Sequence, residues 1–421
     1  MKIGIPKETR PDEARVAAVP ETIKKLIAMG FDVMVEKGAG EAASISDDAM
    51  TGAGASVVST ADAFAADIVF KVRPPSADEV KKMAKGATLI SLMEPYSDNG
   101  MADLLTKQGV QGFALEMVPR ITRAQSMDVL SSQSNLAGYR AVLEASAVYG
   151  RAFPMMMTAA GTVPPAKALV MGAGVAGLQA IATARRLGAV VSATDVRPAA
   201  KEQVESLGGK FVAVEDDEFK AAETSGGYAK EMSAAYQAKQ AQLIADTIAN
   251  QDIVITTALI PGRAAPVLVT EDMVKSMKDG AVIVDLAVEQ GGNCPLSEAG
   301  KVVTKHGVHI IGYTNIQARL PEVASSLYAK NLLNFITNMW DADAGKLKLD
   351  LEDEIIAESL FPKKTKPAAA KSAKKSTTTS AKKVAKKAAK KVAKKATKKA
   401  AKKAAKPQAK SQAKLKTAGG A

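Results

Sequence analysis

Apolar and polar positions along residues 1–118 sort into two alternating kinds of segment. Short apolar runs, KIGIP (2–6), FDVMVEKG (31–38), DIVFKV (67–72), ATLISLM (87–93) and VQGFALEMV (110–118), read as strands. PETIKKLIAMG (20–30), SADEVKKMAKG (76–86) and MADLLTKQG (101–109) read as helices, each stopping at Gly. Strands alternating with helices of this length predict βαβ units and a parallel sheet. From Asp128 to Phe153 good helix formers run without a Pro, which predicts one long helix; PMMMTAAGTVPP (154–165) then reads as a loop.

A second series starts at Lys167 with KALVMG and continues through VVSATD (190–195), KFVAV (210–214), DIVITTAL (252–259), AVIVDLA (281–287) and VHIIGY (308–313). Helical stretches such as GLQAIATARRLG and AYQAKQAQLIADTIAN lie between them. The last long helical stretch, 320–343, is expected to cross back to the first domain. The fold class expected is α/β: two doubly wound parallel-sheet, Rossmann-like domains joined by long helices. The first is 1–138 plus 318–360, and the second, 139–317, is inserted in it.

Charge changes this picture at one end. The chain of 421 residues carries 57 Lys+Arg against 44 Asp+Glu, a net +13. Residues 363–421 alone hold 22 Lys and no acid, so the rest is acidic, with 35 basic and 44 acidic residues. A basic, nucleic-acid-binding reading of the folded body is excluded. The tail repeats Lys pairs four residues apart from Lys382 to Lys403, which winds charge round any helix and repels at i,i+4. With no apolar face to bury, it is expected to be disordered. One Cys, Cys294, rules out an internal disulfide, and two His, His306 and His309, leave no ligand set; no metal site is expected. The N-terminus lacks an apolar h-region, and no uncharged apolar run approaches the ~20 residues of a membrane span. The expectation is a soluble, cytoplasmic body.

The strongest chemical signal is Gly172-Ala-Gly174-Val175-Ala-Gly177, which follows the strand KALVM and opens a helix. Gly172 permits a tight turn, Gly174 lets backbone approach a pyrophosphate, and Gly177 lets helix pack on sheet. Asp195 ends the next strand, placed to accept hydrogen bonds from an adenosine ribose and to repel a 2′-phosphate. NAD(H) is therefore expected over NADP(H). Arg197 is expected to contact adenine or pyrophosphate rather than a 2′-phosphate. A polar cluster, Arg120, Arg123, Gln125, Ser126, Asp128, Ser131 and Asn135, separates an apolar strand from the long helix. The residues alone leave open whether it binds a ligand or only caps the helix. TTALIPGR (256–263) and DLAVEQGGNCP (285–295) follow strand ends, where open α/β folds bind ligands. SGGYAKEMS (225–233) reads equally as a mobile lid or a turn. Both His and Cys294 read as structural.

Nearly the whole body resembles the alanine dehydrogenase/transhydrogenase family. The resemblance lies in IGIPKETRPDEARVAAVP, PRITRAQSMDVLSSQSNLAGYRA, AAGTVPPAKALVMGAGVAGLQAIATARRLGA, GGYAKEMS, TTALIPG and DLAVEQGGNCP. Arg15 and Lys71 fall on the substrate Arg and Lys of alanine-oxidising members. Their acid–base His is missing from the run Ser91-Leu92-Met93-Glu94. Amino-acid oxidation needs proton transfer. Hydride exchange between two nicotinamides needs positioning alone, so the transhydrogenase branch is favoured over a stand-alone alanine dehydrogenase.

That resemblance implies that Arg120, Gln125, Asp128 and Ser131 position the nicotinamide, with Ser126 and Met127 in the same loop. Val175, Asp195, Val196, Arg197, Ala258 and Leu259 fall on NAD contacts. Gly227 and Tyr228 fall on a mobile loop that closes over the nucleotide. It further implies NADP(H) on a partner subunit, proton-translocating membrane subunits (a second alpha polypeptide and the beta subunit) as partners, a homodimer, and peripheral attachment to the inner membrane through those partners. The tail lies outside the family pattern; its composition leaves open contact with nucleic acid or anionic lipid, or a solvated appendage.

Overall fold

The computed structural model describes residues 1–97, 99–222, 232–260 and 262–363. The expectation of a disordered tail therefore falls outside the described residues. Two seven-stranded sheets carry the fold. The first contains β1 (Lys2–Ile5), β2 (Asp32–Glu36), β3 (Ser56–Val58), β4 (Ile68–Phe70), β5 (Thr88–Ser91) and β6 (Gln111–Ala114), all parallel in the order β6-β5-β4-β1-β2-β3. A final short strand, Leu360–Phe361, pairs antiparallel to β6 and closes that edge.

After the hairpin β7 (Met156–Thr158) and β8 (Gly161–Val163), the second sheet follows. It holds β9 (Lys167–Met171), β10 (Val190–Thr194), β11 (Lys210–Phe211), β12 (Ile253–Thr256), β13 (Val282–Asp285), β14 (Val302–Lys305) and β15 (Val308–Ile311). Its order is β11-β10-β9-β12-β13-β15-β14, with only β14 antiparallel. Each sheet runs outward both ways from its first strand, so strand order reverses at β1/β4 and at β9/β12. Those reversals open crevices at the strand C-termini, where α/β folds hold ligands. The α/β, doubly wound expectation stands.

Two long helices join the sheets. The helix Val129–Val148 is shorter than the predicted 128–153, because Tyr149 turns extended at its C-terminus, ahead of Gly150. Val129 packs in the first core, while Ala137, Ala141, Val142 and Ala145 pack in the second. The helix Pro321–Met339 returns to the first sheet, burying Tyr328, Leu332, Phe335 and Ile336 there. Full burial of each such apolar side chain is worth ~1.5–3 kcal/mol.

Three other expectations change. The run 110–118 is strand only to Ala114, then one 3-10 turn, Leu115–Met117. The strand in 210–214 stops at Phe211. Residues 154–165 form the exposed β7–β8 hairpin rather than a loop. Among the described residues no helix is long and apolar enough to cross a membrane.

Candidate functional site

The Gly-rich turn sits at the β9/β12 crevice. Gly172 has φ +105°, a conformation L side chains rarely adopt, and a Cβ there would lie 2.5 Å from Thr257 Oγ1. A Cβ on Gly177 would strike the carbonyl of Gly172, so helix and turn touch backbone to backbone. Gly174 caps the helix Val175–Arg186 with open space beside it and no side-chain cap, which leaves the first helical N–H groups facing outward. Val175 and Val196 stand exposed beside this turn.

Asp195 lies under the turn. Its carboxylate accepts the Ala173 N–H at 2.7 Å and the Arg197 backbone N–H at 2.8 Å. The Arg197 guanidinium adds Nε and Nη2 at 2.9 Å each. Burial alone would raise its pKa, but Arg197 and the two backbone donors hold it below the usual carboxylate range. Arg197 therefore rests on Asp195 itself.

The polar cluster is both a cap and a shaped loop. Thr122–Met127 forms a 3-10 turn, and Asp128 caps the long helix, accepting from the Ser131 N–H at 2.9 Å and from Ser131 Oγ at 2.5 Å. Arg120, Gln125 and Ser126 are exposed, whereas Met127 is buried in the first core and can offer a ligand only its backbone. The loop is pinned from behind by the crossover helix. Asn331 and Asn334 both donate to the Ser126 carbonyl, at 2.8 and 3.1 Å. Arg123 pairs with Asp353 and reaches Asn338. Two turns along the long helix, Asn135 donates to Gln179, and a Cβ on Gly138 would strike the Ala176 carbonyl. Cap, loop and dinucleotide turn are thus held against one another. Ala258 and Leu259 follow β12 beside Gly172, with Leu259 46% exposed. Gly227 and Tyr228 lie outside the described residues.

At the C-terminal end of the first sheet, Arg15 and Lys71 are buried and already partnered. Arg15 donates to Glu13, Gln133 and Asn315, and Lys71 pairs with Glu8 and Glu79. Arg73 reaches Glu289 at 3.5 Å, and Asn315 donates to the Asp12 carbonyl, so the two sheets meet here through charge and amide contacts. After β5 the chain reads Leu92-Met93-Glu94, with Glu94 at φ +52°, and Glu116 accepts the N–H groups of Met93 and Glu94. Neither His is near. His306 Nε2 shares a hydrogen bond with Glu271, and His309 Nδ1 with Thr304 Oγ1 on the β14–β15 edge. Burial raises the pKa of Cys294, as suits a packed thiol. The buried Asp285 and Asn293 and the asparagines of the crossover helix escaped sequence reasoning. The run 285–295 stood out for its place after a strand and its Gly291-Gly292 pair, but neither side chain was singled out.

Comparison with known proteins identifies the family. The alanine dehydrogenase/PNT N-terminal domain matches residues 4–137 and the C-terminal domain matches residues 141–368. The chain is 59% identical over 364 residues to the first portion of NAD(P) transhydrogenase subunit alpha of Rhodospirillum rubrum, covering 85% of this chain and 95% of that one. A solved transhydrogenase structure from Sinorhizobium meliloti superposes with a TM-score of 0.79 at 56% identity, covering 86% of this chain and 98% of that one. Alanine dehydrogenase of Mycobacterium tuberculosis is 29% identical over 353 residues, 81% of this chain and 88% of that one. With both domain families matched in order along two Rossmann-like sheets, this chain belongs to the alanine dehydrogenase/PNT family.

Proposed function

We propose that this chain is the NAD(H)-binding subunit of a proton-translocating transhydrogenase. It passes hydride from NADH to NADP⁺ held on a partner subunit. The hydride leaves the dihydronicotinamide of NADH and joins the nicotinamide of NADP⁺, giving NAD⁺ and NADPH with no proton exchanged at the reacting carbons. The protein's task is then to hold one ring and exclude water. The residues fit a dinucleotide. The helix N-terminus at Gly174 suits the pyrophosphate, Asp195 the ribose, and Val175, Val196, Ala258 and Leu259 line the approach. Arg120, Gln125, Asp128 and Ser131 orient the nicotinamide.

The observation that carries this reading is the end of β5. Ser91-Leu92-Met93-Glu94 holds no imidazole, and the two His of the chain are engaged in the other sheet's domain, His309 with Thr304 and His306 with Glu271. An amino-acid dehydrogenase needs an acid–base group at its substrate. The test mixes the chain with membranes carrying the two membrane subunits of a bacterial transhydrogenase and follows NADH-dependent reduction of NADP⁺. Oxidation of L-alanine by the chain alone, at ordinary enzyme rates, would reject the proposal in favour of a stand-alone alanine dehydrogenase.

The same proposal places the chain on the cytoplasmic side of the inner membrane through those partners, as a homodimer. The β7–β8 hairpin supports the dimer. A lone two-stranded hairpin is marginal in water, and this one starts at three exposed methionines, with Met157 83% exposed. Sedimentation of Met157→Glu against the unaltered chain tests it. For the tail we propose polyanion binding, to nucleic acid or anionic lipid. Full-length chain and residues 1–362 should differ in retention on DNA or on anionic vesicles as salt is raised, and equal retention on both overturns it.

A further inference from the structure

Asp285, at the end of β13, is 1% exposed and has no cationic partner among the described residues. A buried carboxylate is costly unless donors surround it. Five do: Ala287 N at 3.0 Å, Asn293 N at 3.1 Å, Thr256 Oγ1 at 3.3 Å, Cys294 N at 3.1 Å and Ser297 Oγ at 2.8 Å. Gly291 and Gly292, both with positive φ, turn the chain back over it, and a Cβ on Gly292 would lie 2.8 Å from Asp285 Oδ2. The carboxylate thus wraps residues 286–297 around itself.

This wrapping delivers the Asn293 amide to the neighbouring loop. Asn293 is 0% exposed. Its Nδ2 donates to the carbonyls of Ala258 and Pro266, at 2.9 and 2.8 Å, and its Oδ1 accepts from Ala258 N at 3.2 Å. Its backbone carbonyl accepts from Leu268 N and Val269 N. The side-chain amide spends both donors and its acceptor on one loop. Next in that loop, Thr257 Oγ1 donates to the Gly172 carbonyl at 3.1 Å. Hydrogen bonds therefore run without a gap from Asp285 through Asn293 to the residues that flank the dinucleotide turn. On the outer side of the loop, Leu259 and Ile260 stand exposed. Apolar side chains left open above a fully satisfied polar anchor are what a ring-binding wall requires.

We propose that Asn293 is a positioning residue for the dinucleotide. It fixes the loop that carries Ala258 and Leu259 at the height a bound ring needs. The proposal rests on the dinucleotide reading above and adds a residue that does not touch the ligand.

Asn293→Asp keeps the volume but sets a carboxylate oxygen against the Ala258 and Pro266 carbonyls. NADH titration of the full-length chain should show binding weakened at least about tenfold, as loss of a buried amide's bonds implies. Transfer with the membrane subunits should show the same rise in KM, with kcat held within about twofold. A purely structural role would lower the thermal midpoint and the active fraction but leave KM unchanged, and that outcome overturns the proposal. Should this variant fail to fold, Ser297→Ala decides, since it removes one of the five donors to Asp285. A rise in KM of about two- to fivefold supports the proposal, and no rise rejects it. Wild-type chain that fails to bind NADH removes the function reading and this proposal together; wild-type binding with unchanged binding by Asn293→Asp rejects only the role of Asn293.

Discussion

Replacing Asp195 by Ala tests the ribose assignment most directly. The carboxylate is nearly buried and accepts four hydrogen bonds, from Ala173 N, Arg197 N, and Arg197 Nε and Nη2. A ribose diol would take the edge that the guanidinium now holds. Hydrogen bonds to a charged acceptor are worth ~1.5–3 kcal/mol each. Part of that is offset, because the displaced Arg197 is partly exposed and its pair is worth at most ~1 kcal/mol. Counting one ribose bond less that offset, the net loss for NADH is about 0.5–3 kcal/mol, or roughly 2- to 150-fold in Kd. The same change strands the Ala173 N–H and frees Arg197 beside the ribose, so NADPH should weaken less than NADH, or bind better. Parallel fluorescence titrations with NADH and NADPH read both effects. An NADH Kd within twofold of wild type, or an unchanged NADH-to-NADPH ratio, would refute the assignment.

Four further outcomes are expected. Arg197→Ala should leave NADH affinity equal or improved, because the guanidinium rests on Asp195; a clear loss in the same titration would place Arg197 on the nucleotide instead. Asp128→Ala should remove the cap of the helix Val129–Val148 at a cost of ~0.5–2 kcal/mol in urea unfolding, and should slow hydride transfer more than it weakens NADH binding. Lys71→Met leaves buried Glu8 unpaired, so unfolding free energy should fall by ~3–5 kcal/mol; a loss under ~1 kcal/mol in denaturant titration would contradict the buried pairing. Acid should destabilise the chain. Burial would raise the pKa of both Glu13 and Asp195, but Arg15 and Arg197 hold them below the ordinary carboxylate range. Their stabilisation is fully present above ~pH 4.5 and is lost as pH falls through the depressed folded values. Urea midpoints between pH 6 and pH 3 should show this slope, and Glu13→Gln should flatten some of it.

Local chemistry was legible where one short stretch contains cause and effect. The turn Gly172–Gly177 states its own geometry, because positive φ at Gly172 and contact at Gly177 both demand glycine. Asp128 as a cap was readable from its place ahead of a helical run. The hairpin 156–163 was not, since every residue from Met156 to Thr162 is exposed and no alternation marks an inner face. β3 and β14 escaped for a related reason: as edge strands they bury little, and the hydrophobic pattern fades with burial. Asp285 and Asn293 were invisible as a unit because the residues that the Asn293 amide holds, Ala258 and Pro266, lie 35 and 27 residues away in sequence. The guanidinium of Arg197 on Asp195 is a rotamer outcome, which no residue pattern encodes.

The helix Val129–Val148 has a consequence of its own. It begins at the loop proposed to orient one ring and touches the dinucleotide turn seven residues after Ser131, at Gly138. Under the proposed function that makes it a gauge, because the separation between loop and turn is counted in residues. Inserting or deleting one residue between Ser131 and Gly138 would shift the loop by ~1.5 Å and rotate it by ~100°. No side-chain adjustment absorbs such a rotation. The spacing of these seven residues should therefore tolerate substitution on its exposed face but not a change of length.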